Sequence, residues 1–165
     1  MRAGILTVSD RSSRGEREDA SGPALRAWLT ERGVKAVRIE VVPDEEDRIS
    51  AVLRKWADEE GFEIILTTGG TGVSPRDVTP DATRKVLERT IPGFGERMRT
   101  KSLEKTPMAI VSRAVAGVRK QSLIINLPGS PKGAVENLEA VWDAVPHTVA
   151  KIRGDDSECA PPPVP

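Results

Sequence analysis

The chain has 165 residues, with 25 Lys plus Arg balancing 25 Asp plus Glu. A single domain of this size buries roughly 70% of the surface its unfolded chain exposes, so it needs neither disulfides nor a structural metal to fold. The zero net charge, two Phe, three Trp and no Tyr argue against a nucleic-acid partner, and the lone Cys159 excludes an intrachain disulfide and a cysteine-built zinc site.

In chain order, residues 3–8 (AGILTV) form an apolar, β-prone run that ends at Ser9-Asp10. It is too short for a signal peptide, and no later run approaches the roughly 18 apolar residues of a membrane span. A cytoplasmic protein with no membrane contact is therefore expected. A long polar loop follows, of the kind that is functional or mobile. Ser21 is expected to cap a helix over about 22–33, with Leu25, Trp28 and Leu29 on one face and Gly33 closing it. Residues 34–42 alternate as a second strand. Asp44 reads as the N-cap of a helix over 45–60, whose Ile49, Val52, Leu53, Trp56 and Ala57 follow the stripe of a core-facing helix.

Residues 62–68 (FEIILTT) read as a buried parallel strand, broken by Gly69-Gly70-Thr71-Gly72. Thr79 before Pro80 looks like an N-cap with proline at the first helical position, giving a helix over about 80–90. Another helix is expected over about 94–104, strand over 108–119, and a further buried strand at 122–127 (SLIINL). The last helix takes 133–152, interrupted by Pro146. Residues 154–165 form a Pro-rich, mobile tail.

Strands alternating with helices imply crossover units and a mainly parallel sheet. The stretch 108–127 lacks a helix between its strands and predicts one antiparallel pair. The expected fold is a three-layer α/β/α domain over residues 1–153. Ligands of such folds bind beyond the carboxyl ends of the strands, where the winding reverses. Ser9-Asp10, Asp44, the bend 67–72 (TTGGTG) and the turn 127–133 (LPGSPKG) all fall at such ends, which marks a ligand site.

Within these segments, local and chemical roles compete. TTGGTG has neither dinucleotide nor P-loop spacing, and a tight turn explains it as well as an anion cradle of bare N–H groups does. Thr71 could bind phosphate or satisfy a turn amide. Asp81 suits the first turn of its helix. Asp77, ahead of that helix and beside Arg76, is either a solvated carboxylate or a ligand for Mg²⁺, which is commonly held by one or two carboxylates plus substrate phosphates. In Pro128-Gly129-Ser130-Pro131-Lys132-Gly133, Ser130 caps a helix whose N–H groups point at any anion. The segment 97–105 is locally basic but diluted by Glu, and reads as a solvated face. His147, the only histidine, stands apart from these loops, so serine-type hydrolysis is not expected.

Taken as an ordered set, TVSD (7–10), ASGPAL (20–25), PDE (43–45), TTGGTG (67–72), RDVTPDAT (76–83), PGFGERMR (92–99) and INLPGSPKG (125–133) resemble the MogA/MoaB family, the molybdopterin adenylyltransferases of molybdenum cofactor synthesis. The resemblance covers about residues 5–153. PGFGE and the second half of RDVTPDAT stand closer to the MogA branch, while a short segment before the last helix turn is shared with MoaB-like members and with the G domain of gephyrin-type proteins. The resemblance implies an α/β/α domain with one opposed strand. Its implied reaction joins AMP from Mg-ATP to the molybdopterin phosphate and releases pyrophosphate.

Carried over by motif, Asp44 and Asp77 are the two essential carboxylates, with Asp77 toward the metal. By the same resemblance, Thr71 and Ser102 match contacts to the molybdopterin phosphate, and Ser9, Asp10, Gly69, Gly70, Gly72, Pro128, Gly129 and Ser130 are expected to line the substrates. The implied assembly is a homotrimer, with a hexamer as the alternative, and other cofactor-synthesis proteins are conceivable partners. The rival readings are a molybdopterin-binding module or scaffold without turnover, and a nucleotide hydrolase resembling the related domain of competence-damage-inducible proteins. Pyrophosphate release that requires ATP, Mg²⁺ and pterin together separates the first reading from both.

Overall fold

A computed structural model describes residues 1–157. Cys159 and the rest of the expected tail beyond 157 lie outside the described residues. Six strands form one sheet: β1 (Arg2–Val8), β2 (Lys35–Val42), β3 (Ile64–Thr68), β4 (Arg89–Thr90), β5 (Ala116–Arg119) and β6 (Ser122–Leu127), in the order β2-β1-β3-β6-β5-β4. The β1/β2, β1/β3 and β3/β6 pairs are parallel, whereas β5 runs antiparallel to both β4 and β6. One strand is thus opposed to all the others, as expected. The extra strand β4 is two residues long, within the span expected to continue the helix from Pro80.

Buried strand residues alternate between two cores, because successive side chains of a strand point to opposite faces. Ile5, Ile64, Leu66, Leu123 and Ile125 pack beneath α2 (Ser21–Glu31), α5 (Pro92–Leu103), α6 (Pro131–Val141) and α7 (Val145–Ile152). Leu6, Ile65 and Ile124 pack beneath α3 (Glu46–Asp58) and α4 (Thr79–Val86). The apolar stripe of α3 does what its spacing predicts, with Ile49, Leu53 and Trp56 fully buried. The long polar loop after β1 contains one short helix, α1 (Asp10–Ser13), capped by the Ser9 side chain. Pro146 stands in the first turn of α7, and a 3-10 turn over Trp142–Ala144 separates that helix from α6.

Residues 107–111 depart from expectation. PMAIV carries the apolar content of a strand but forms a 3-10 helix, Pro107–Val111, and only 116–119 joins the sheet. Pro107 donates no ladder hydrogen bond, and Thr106 caps the turn by accepting the Met108 N–H. This short helix walls a cavity instead of extending the sheet.

Candidate functional site

The order β2-β1-β3 means that the chain turns one way from β1 and the other way into β3, so a crevice opens between their carboxyl ends. Gly69 and Gly70 begin the bend there, at φ +105° and +62°. A Cβ on Gly69 would lie 2.2 Å from the Val8 carbonyl oxygen, so the close approach of the two strand ends requires glycine. The bend is stitched to the next loop: Gly69 N donates to Leu127 O (3.1 Å) and Thr68 Oγ1 to Pro128 O (2.7 Å). On the far side of that loop, Ser21 Oγ donates to Gly129 O (2.7 Å).

Two cavities flank this backbone wall. One, of about 360 Å³, is lined by Ser9, Asp44, Gly69, Gly70, Asp77, Gly129 and Ser130, together with Arg17, Glu18 and Asp19. The other, of about 460 Å³, is lined by Thr71, Gly72, Ser102, Pro128 and Ser130, together with Arg99, Lys105, Met108, Lys132 and Asn137. Ser130 faces both, and its hydroxyl caps α6 by accepting the Gly133 N–H (3.2 Å). Ser102 and Asn137 are tied together across α5 and α6, with Asn137 Nδ2 donating to Ser102 Oγ at 3.0 Å.

Of the four carboxylates that line the first cavity, Asp44 and Asp77 are held differently. Asp77 Oδ2 accepts the Ser74 N–H at 2.8 Å, within its own loop. Asp44 and Asp10 exchange bonds across 34 residues of chain: Asp10 N donates to Asp44 Oδ2 (2.8 Å) and Asp44 N to Asp10 Oδ1 (3.0 Å). Arg76 then forks onto Asp10 at 2.9 and 2.7 Å. Burial, followed by the charges of Asp10 and Asp77, pushes the Asp44 carboxyl above the ordinary aspartate range, against the opposing Asp10 N–H bond and the Arg76 charge. Asp10 moves the other way, held down by the Arg76 guanidinium.

Several local expectations give way to longer-range partners. Asp44 is not the cap of α3. Glu45 occupies that position without a side-chain bond, and the Asp44 carboxylate is spent on Asp10 N. Ser21 is the first residue of α2, and Asp19 does the capping, with Oδ1 accepting from Ser21 N and Gly22 N and Oδ2 from Thr7 Oγ1. Thr79 lies inside α4 and leaves its buried Oγ1 without a hydrogen-bond partner beneath Gly70. Asp10, expected among the lining residues, instead supports Asp44. The basic segment 97–105 is not wholly a solvated face, since Arg99, Ser102 and Lys105 turn into the second cavity. Asp81 anchors Arg113 rather than only facing a helix dipole.

Asp19, Arg17 and Asn137 escaped the sequence reading. The capping rule could have found Asp19, two residues ahead of Ser21 and four ahead of Pro23. Nothing local marks Asn137.

The family model described as "Probable molybdopterin binding domain" matches residues 4–147. The chain belongs to this family. Within it, the chain is 49% identical to a molybdopterin adenylyltransferase of Helicobacter pylori (strain J99), covering 92% of this chain and 88% of the relative. It is 44% identical to the protein of the same name from Escherichia coli (strain K12), over 98% and 90% of the two chains. Among solved structures, the molybdopterin biosynthesis enzyme MoaB from Thermus thermophilus superposes with a TM-score of 0.88 at 55% identity, over 93% of this chain and 97% of that one. The fold of the whole domain is therefore shared with these proteins.

Proposed function

We infer that this family member is a molybdopterin adenylyltransferase acting in molybdenum cofactor biosynthesis. The observation that carries the reading is the pairing of two chambers across one wall of main chain, with Asp44 and Asp77 in the first and Thr71 and Ser102 in the second. ATP takes the first and molybdopterin the second. Arg99, Lys105 and Lys132 supply cations for the pterin phosphate, and Met108, Ala109 and Val111 give an apolar wall for its ring. The two phosphates then meet at the glycine bend and Ser130.

The reaction follows from that meeting. An oxygen of the pterin phosphate attacks the α-phosphorus of ATP, the bond from that phosphorus to the bridging oxygen breaks, and pyrophosphate leaves with the electron pair. The nucleophile is already ionised near neutral pH, so no histidine or cysteine base is needed. What the protein supplies is alignment and compensation of charge, through bare N–H groups of the bend and the N-terminus of α6.

Mg²⁺ belongs to the same proposal. Among the described residues no cluster of three or more His, Cys, Asp or Glu stands ready to hold a metal. Glu18, Asp19, Asp44 and Asp77 line the first cavity, with Asp19 taken up by Thr7, Ser21 and Gly22, and Mg²⁺ is commonly held by one or two carboxylates plus substrate phosphates, so the donor set fits. Asp77 is the residue assigned to it, with Asp44 beside it. Bound there, the ion would offset the charge gathered on the triphosphate.

A homotrimer, with a hexamer as the alternative, completes the reading. It is supported by Val73, Met108 and Ile110, which are 66–68% exposed and offer apolar surface for a subunit contact. A cytoplasmic location fits the finding that no described helix is long and apolar enough to cross a membrane. The described residues also fit one domain over 1–153. The deciding experiment measures pyrophosphate release with ATP, Mg²⁺ and molybdopterin each omitted in turn. All three are required if the reading is right, and Asp77→Asn abolishes release while leaving the fold intact. Release without pterin would identify a hydrolase, and pterin binding without release would identify a binding module.

A further inference from the structure

We propose that Arg113 is a positioning residue that sets the spacing between the two substrates by clamping the glycine bend to the loop that carries Asp77. The proposal rests on the function inferred above. Its structural basis is the reversal of β5. Because this strand runs against the others, the chain entering it arrives at the end of the sheet where the parallel strands leave, and Arg113 lies just ahead of Ala116 at that end.

Four contacts radiate from this one residue. Its N–H donates to Thr71 O (2.9 Å) and its Nε to Gly72 O (2.7 Å), which holds the second half of the bend. Its Nη2 donates to the main-chain oxygen of Asp77, and its Nη1 pairs with the Asp81 carboxylate at 3.0 and 2.9 Å. Arg113 therefore joins the residues that line the pterin chamber to the carboxylate that lines the nucleotide chamber. Its own side chain faces a third pocket, shared with Arg84 and Arg99, and so it acts through its neighbours rather than on a substrate. Only a guanidinium makes this junction. Its planar fork reaches two carbonyls and a carboxylate at once, whereas an ammonium on a flexible stem cannot hold all three in fixed directions.

Adenylyl transfer depends on the alignment of two phosphates, and a displacement of about 1 Å can lower the rate roughly 100-fold without removing any binding group. The test is steady-state pyrophosphate release by Arg113→Lys and Asp81→Asn. Expected for Arg113→Lys is a fall in kcat of about 10- to 100-fold, with KM for ATP and for molybdopterin within about threefold of the parent. Asp81→Asn keeps the guanidinium on its carbonyls and falls less. In Arg113→Ala, millimolar guanidinium restores part of kcat, a rescue that a purely architectural role would not give.

Independently of turnover, amide hydrogen exchange in Arg113→Lys quickens at residues 70–78 while β1, β3 and β6 keep their protection. If Arg113→Lys does not fold, Asp81→Asn carries the same kinetic and exchange readouts. A parental kcat in a folded Arg113→Lys overturns the clamp, or in Asp81→Asn where Arg113→Lys does not fold, as does a KM effect that accounts for the whole loss. Asp77→Asn run alongside keeps the two ideas apart. Its inactivity with a fully active Arg113→Lys would sink the clamp alone, whereas an active Asp77→Asn would sink the catalytic assignment.

Discussion

Gly72→Ala separates chemistry from folding at this site. Gly72 does not have the left-handed backbone of Gly69 and Gly70, so alanine is conformationally acceptable there. The added Cβ would meet Asp77 Oδ2 at 2.9 Å, whereas ordinary contact begins at 3.4 Å, so the carboxylate must move by about 0.5 Å. That movement stretches its bond from Ser74 N, now 2.8 Å, at a net cost of about 1 kcal/mol. The loss of chain entropy in the unfolded state returns about 0.4–1 kcal/mol. Stability should therefore change by less than about 1 kcal/mol, and Tm by less than about 4 °C. Turnover should fall about 10-fold or more, because the displaced group is the one assigned to the metal.

Gly69→Ala is the contrast. There the Cβ meets a main-chain oxygen at 2.2 Å and φ is +105°, so strain and overpacking together should cost about 2–6 kcal/mol. Differential scanning calorimetry beside pyrophosphate release reads both variants. A parental rate in Gly72→Ala, or a Tm loss as large as that of Gly69→Ala, would refute this placement of Asp77.

Other outcomes follow from the same contacts. Under the proposed role of Asp44 as a carboxylate beside the metal, the acid limb of kcat/KM should lie above the ordinary aspartate range, because burial and neighbouring charge raise Asp44. Asp10→Asn removes one of those charges and frees Arg76, so the limb should move to lower pH; a fixed limb in a pH–rate profile would exclude Asp44 as its source. Stability carries two opposed signs. The raised Asp44 disfavours the fold as pH climbs through its elevated pKa, whereas the lowered Asp10 stabilises it above the ordinary range and loses that contribution as pH falls through its depressed one, which equilibrium unfolding of Asp10→Asn and Asp44→Asn across pH 3–7 should show. Ser102→Ala should weaken molybdopterin binding by about 10-fold in calorimetry and leave ATP binding unchanged, since Ser102 borders the second chamber and not the first. Equal loss for both ligands would contradict the division of the site.

The strands and the helices packed on them were legible because burial dictates period. β3 and β6, within FEIILTT and SLIINL, are buried on both faces and lie in the middle of the sheet. The glycine bend and its place at a strand end were legible for the same reason, since the topology of a parallel sheet decides where ligands go. What sequence alone could not display were bonds that leap across the chain. Pro43-Asp44 has every local mark of a cap, yet its partner is Asp10, chosen by the parallel pairing of β1 and β2. Arg113 carries no motif. Its role exists only because β5 reverses. The 107–111 turn has the apolar content of a strand, but Pro107 cannot donate to a ladder and the segment instead walls a cavity.

The partition between the two chambers is built from peptide backbone, and that choice has a consequence for how such a protein can diversify. Side chains on the outer walls, Ala109 and Val111 on one side and Arg17 and Glu18 on the other, can change toward new ligands without moving that partition. The distance that separates the reactants is written in glycines and carbonyls, which ordinary substitution does not easily edit. Selectivity can wander here while reach stays constant.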